Sequence, residues 1–142
     1  MPTPNAMSVQ PYLFFGGRCE EALNFYRSAV GAEVQMMMRY KDSPEPRQMP
    51  ECFDHKIMHA SVRVGESTLM ASDGMCDGPA SFESFSLAVT VGDENEAERV
   101  FAALSEGGVV TMPLEKTFWA PKFGMLQDRF GVGWMVSVMH KP

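Results

Sequence analysis

One succession of local patterns occurs twice in this chain, and it limits the available architectures more than any single residue does. The segment YLFFGGRCEEALNFYRSAVGAEVQ from Tyr12 and the segment LAVTVGDENEAERVFAALSEGGVVT from Leu87 share it: apolar strand, glycine, acidic helix start, amphipathic helix, glycine, strand. A duplicated unit of this kind must bury the same face in each copy. In the first helix Ala22, Phe25, Tyr26, Ala29 and Val30 form one stripe at the helical period, and Gly31 supplies the stop. In the second, Ala97, Val100, Phe101 and Leu104 repeat the spacing before Gly107-Gly108, and Asp93 with Glu96 resembles a capping box.

Three strand candidates follow each helix, at 33–40, 56–64 and 67–73 in the first half and at 109–115, 122–128 and 132–139 in the second. Gly65-Glu66 reads as a two-residue hairpin turn. The segment GMCDGPASFES at 74–84 reads as a linker, so the chain is expected to be βαβββ twice, with modules at about 8–73 and 85–140. The proline-rich stretch KDSPEPRQMPECFD at 41–54 is neither helix nor central strand. It serves either as a lid over a site or as a surface connection.

Alternation within the strands distinguishes two sheet faces. Met58, Ala60, Val62 and Val64 suit a helix stripe, whereas Ile57, His59, Ser61 and Arg63 point the other way. Leu87, Val89 and Val91 alternate in the same manner with Ser86, Ala88 and Thr90. At the end of the chain, Trp134 is assigned to the helix-covered core and Met135 to the opposite face, after a tight turn over Asp128-Arg129-Phe130-Gly131.

The 142 residues suit one globular domain, and 12 basic against 18 acidic side chains, with no basic stripe, argue against nucleic acid as a partner. No apolar run approaches the roughly 18 residues of a membrane span, and the first ten residues lack a leader pattern. The expected location is cytoplasmic. Three cysteines at wide spacing form no disulfide framework. The 13 methionines are read as packing and interface filler.

The segments PYLFFGG…CEEALNFY, KIMHASVRVGESTLMASD and TFWAPKFGMLQDRFGVGWMV together resemble the PhnB-like branch of the vicinal oxygen chelate superfamily, which includes glyoxalase I, bleomycin-resistance proteins and extradiol dioxygenases. The resemblance implies an α+β fold of two βαβββ modules, with curled mixed sheets forming a concave cavity and helices on the convex face. It also implies a site made by two modules, within a chain or across a dimer. Metal-dependent members place His or Glu at positions that match Pro11, a position near Met70 to Ser72, Ser86 and Met135 here. None of these is a good ligand for a hard divalent ion, so no metal and no cofactor is expected. The resemblance further implies roles linked to phosphonate metabolism or to demethylubiquinone methylation. A methyltransferase would need an adenosylmethionine site, and no Gly-rich loop in a doubly wound pattern is found.

The expected function is metal-independent binding of a small molecule by a homodimer, with catalysis on a small organic metabolite as the alternative. His59 could bind a ligand, move a proton, or serve as a hydrogen-bonded wall or interface residue. Asp73 is a turn former before Gly74 or a catalytic base, and it is included in the candidate ligand-binding set. Phe118 and Trp119, ahead of a proline turn, are a pocket wall, core or dimer seam. Ser86 and Met135 complete the candidate ligand-binding set. Cys52, His55 and His59 have a zinc-like spacing, but on a strand the two histidines would stand roughly 13 Å apart. Gly16-Gly17 could cradle an anion at the helix start or simply make a tight turn.

Overall fold

Strand and helix alternate in the computed structural model in the order the duplicated pattern dictates, and it describes residues 7–44, 53–74 and 80–139. The first half comprises β1 (Tyr12–Phe14), α1 (Cys19–Val30), β2 (Glu33–Arg39), β3 (Ile57–Val64) and β4 (Ser67–Ser72). The second comprises β5 (Leu87–Val91), α2 (Glu94–Ser105), β6 (Val109–Glu115), β7 (Phe123–Gln127) and β8 (Gly133–Val138). A short 3-10 turn at Tyr40–Asp42 follows β2. Residues 45–52 of the proline-rich stretch, read as a lid or a surface connection, and 75–79 of the linker lie outside the described residues.

The helices end where their sequences say they should. Gly31 adopts the left-handed conformation with φ 69°, a backbone state that costs a side-chain-bearing residue energy. The Asp93 side chain accepts from the Glu96 amide at 2.8 Å and thereby caps α2. Between β3 and β4, Val64 pairs with Ser67 and Gly65 takes the positive φ at the first turn position.

Each half makes a four-stranded mixed sheet, in the order β1-β4-β3-β2 and β5-β8-β7-β6. One parallel pair, β1 with β4 or β5 with β8, joins two antiparallel pairs in each. The sequence expectation of curled sheets enclosing a concave cavity is overturned: both sheets are open, and their edge strands do not pair with one another. Four strands that twist by about 20–25° each turn through only about 70° in total, far short of closure. The free edges β2 and β6 instead carry register irregularities, which break up a regular edge ladder.

Helices cover one face of each sheet. Ala60 and Val62 of β3, Ala71 of β4 and Trp134, Val136 and Val138 of β8 are buried on these faces. Ile57, placed on the opposite face by alternation, is fully buried at the start of β3. The two halves join through their helices and through aromatic packing of Phe15, Phe25 and Tyr26 around Phe130. Among the described residues no helix is long and apolar enough to cross a membrane.

Asp128 links the halves most directly. It is buried, its Oδ1 accepts from the Phe130 and Val132 amides at 2.8 and 3.1 Å, and its Oδ2 accepts from Tyr26 Oη at 2.6 Å and Trp134 Nε1 at 2.9 Å. The tight turn thus closes around a carboxylate that also holds α1. Burial, reinforced by the Asp128 charge, pushes the Tyr26 phenol well above its ordinary pKa, so Tyr26 remains a donor.

Candidate functional site

On the first sheet, the face opposite α1 brings Tyr12, Phe14 and His59 together. Because Leu13 turns into the core, its neighbours Tyr12 and Phe14 turn outward, 38% and 54% exposed, with ring centroids 4.9 Å apart in a stacked arrangement. Tyr12 lies opposite Met70 in the parallel ladder. Two strands over, His59 projects from β3, and its Nδ1 lies 2.8 Å from Tyr12 Oη. The two rings are tilted by 36° at a centroid distance of 5.5 Å. Met38 stands opposite His59, and Met36 opposite Ser61, on β2.

Partial burial, with smaller contributions from Tyr40 and Cys19, raises the Tyr12 phenol pKa. Tyr40 donates to the Gly74 carbonyl and stacks on Phe53. Its own phenol is raised chiefly by burial. Ser72 is buried between these segments, donating to the Ile57 carbonyl at 3.3 Å and accepting from the Gly74 amide at 2.9 Å.

The other candidate residues fall into separate groups. Asp73 is buried, and its carboxylate accepts from the backbone amides of Gly17 at 2.9 Å, Cys19 at 2.8 Å and Ile57 at 2.7 Å. It fills the start of α1 with the protein's own anion, which accounts for the Gly16-Gly17 turn. Ser86 precedes β5 and packs so closely on β8 that a Cβ at Gly133 would lie 2.8 Å from its Oγ. Met135 projects from β8 between Ala88 of β5 and Met125 of β7. On the same ladders Thr90 and Ser137 hydroxyls approach to 3.4 Å.

Phe118 and Trp119 occupy the loop between β6 and β7, which is tied by the Thr117 amide to the Ala120 carbonyl at 3.0 Å. Phe118 is 97% and Trp119 48% exposed. Their rings meet edge to face at 4.8 Å, and Trp119 meets Phe123 at 5.3 Å.

At the positions compared with metal-dependent relatives, β1 puts Tyr12 and Phe14 on the open face rather than Pro11, whose carbonyl accepts from the Met70 amide at 2.9 Å. Among the described residues no group of three or more His, Cys, Asp or Glu is placed to hold a metal ion. His55 lies in the turn before β3, with its carbonyl accepting from Arg39 at 2.7 Å, and Cys52 lies outside the described residues. Sequence reasoning missed Tyr12 and Tyr40. The alternation around Leu13 was the available signal for Tyr12; Tyr40 had none, because its partner Gly74 is distant in sequence.

Residues 7–137 match the protein family described as 3-demethylubiquinone-9 3-methyltransferase. Protein YjdN of Escherichia coli (strain K12) is 36% identical over 141 residues, covering 94% of this chain and 96% of that protein. The crystal structure of protein PA1353 from Pseudomonas aeruginosa superposes with a TM-score of 0.84 at 43% identity, covering 96% of this chain and all (100%) of that one. A PhnB protein from Bacillus cereus gives a TM-score of 0.77 at 30% identity, with 94% of this chain and 100% of that chain covered. On this match and the fold just described, the chain belongs to the 3-demethylubiquinone-9 3-methyltransferase family, the PhnB-like branch of the vicinal oxygen chelate superfamily.

Proposed function

We propose that this protein binds a small organic molecule without a metal ion, on the open face of its first sheet, and does so as a homodimer. The observation that carries the reading is the Tyr12–His59 hydrogen bond set beside the exposed rings of Tyr12 and Phe14. A few placed polar groups on an apolar surface are what small-molecule sites are made of. The absence of a metal-holding group among the described residues supports the metal-independent part.

A thermal-shift screen of a metabolite library on wild type and His59→Ala tests this function. The expected outcome is a ligand that stabilises the wild type and binds several-fold more weakly to the variant, the loss of one hydrogen bond worth about 0.5–1.5 kcal/mol. A library without any stabilising ligand counts against binding. Stoichiometric zinc, nickel or iron retained through gentle purification counts against metal independence.

Catalysis is the second reading, favoured by the family's description as a methyltransferase. Each described sheet holds a single parallel pair, unlike the doubly wound parallel sheet that the adenosylmethionine-site argument requires. Calorimetry is therefore expected to detect no tight binding of adenosylmethionine, and tight binding would reinstate methyl transfer.

A further inference from the structure

The donor pattern at Tyr12 and His59 deepens the binding proposal, on which this inference rests, by restricting the ligand's chemistry. A hydrogen bond between a phenol and Nδ1 can run either way, according to the imidazole tautomer. A phenol is the stronger donor and an imidazole nitrogen the stronger acceptor of this 2.8 Å pair, which assigns the donor role to Tyr12 Oη. Nδ1 then accepts, and the ring proton of the neutral imidazole resides on Nε2. Among the described residues the His59 ring makes no second hydrogen bond. No described residue occupies its remaining nitrogen.

Charge around this face narrows the choice further. β1 and β4 carry no charged residue. On β2 and β3, Arg39 is paired with Glu20 at 2.7 Å and Arg63 with Glu33 at 2.6 Å. Lys56, just before β3, donates to the Gly17 carbonyl at 2.9 Å. A carboxylate would find these three cations already engaged, whereas a neutral oxygen needs only a donor. The exposed surface beside His59 is Tyr12, Phe14 and, on β2, Met36, which is 41% exposed.

The geometry points to a ligand with an aromatic or apolar body and a neutral carbonyl oxygen, the oxygen accepting from His59 Nε2–H while Tyr12 acts as the positioning residue that holds the tautomer. Tyr12 and Phe14 present ring surface to the body, and Met36 can adapt to its outline.

Long-range 1H–15N correlation spectra of the full chain with 15N-labelled histidine test the idea, recorded at about pH 8.5, roughly two units above the ordinary histidine pKa. His59 is assigned by the signals lost in His59→Ala. The expected spectrum shows the Nε2–H tautomer in wild type and a mixture in Tyr12→Phe, whose melting temperature serves as the check on folding. Acetophenone is the probe, with benzoate and ethylbenzene at matched concentration as comparisons. Acetophenone should move the His59 Nε2 signal and lose several-fold in affinity in Tyr12→Phe, while the other two leave that signal in place. An Nδ1–H tautomer in wild type, an unchanged tautomer in folded Tyr12→Phe, or a benzoate or ethylbenzene response matching acetophenone would overturn the inference. So would an unmoved His59 signal at millimolar acetophenone. If the metabolite screen yields stabilising ligands while these spectra fail, only the carbonyl assignment falls; a screen with no ligand removes the binding proposal itself.

Discussion

Two aspartates organise this molecule residue by residue, and both do so by accepting from several donors in buried surroundings. Asp128 gathers two amides, the Tyr26 hydroxyl and the Trp134 indole. Removing the carboxylate orphans all four donors, each at a cost of about 1–3 kcal/mol if water cannot reach it. Asp128→Ala is therefore expected to lower stability by at least about 3 kcal/mol in denaturant unfolding. Tyr26→Phe deletes one donor to a charged group and should cost about 1.5–3 kcal/mol. Equal stability of either variant and wild type would contradict the link between the halves. Cys19 lies in the same buried layer, where burial, with Asp73 and Glu20 nearby, pushes its thiol well above the usual range. Since the thiolate is the reactive form, maleimide labelling followed by peptide mass analysis should find Cys19 unmodified in the folded protein at neutral pH and modified after unfolding.

At the scale of elements, close backbone approach explains which glycines matter. A Cβ at Gly108 would lie 2.1 Å from the Gln127 carbonyl oxygen, and one at Gly124 would lie 2.7 Å from the Phe101 ring and 2.9 Å from Leu114 Cα. These contacts seat β6 and α2 against β7. Gly108→Ala and Gly124→Ala should each destabilise by about 1–3 kcal/mol through overpacking. Gly92→Ala is the control, because nothing lies within 4 Å of its would-be Cβ and its backbone needs no positive φ. Thermal melts of the three variants separate close packing from a general intolerance of substitution. At the start of α2, Asp93→Ala should cost about 1 kcal/mol, the worth of one N-cap.

Exposed apolar side chains among the described residues bear on assembly at the scale of the whole molecule. Phe14, Met36, Phe118 and Trp119 are among them. A second copy covering some of them would remove apolar surface from water. Sedimentation is accordingly expected to give about twice the chain mass at micromolar concentration, and a monomer at all concentrations would remove the dimer proposal.

Periodicity alone determined the duplicated strand and helix succession, the Gly31 stop, the Asp93 cap, the Gly65 turn and the opposite facing of Trp134 and Met135. Each depends on neighbours within a turn or a pleat, so the chain's own order records it. Tertiary structure decided the rest. Tyr12 meets His59 across 47 positions, and Tyr26 meets Asp128 across 102. Asp73 looked like a turn residue, yet its oxygens reach amides 16 to 56 positions away. Whether the sheets close or stay open was equally beyond local pattern, because alternation reports which face a residue occupies and not the accumulated twist or where the edge strands end. Hydrogen-bond partners and sheet closure are set by the path of the chain through space, which a local pattern does not encode.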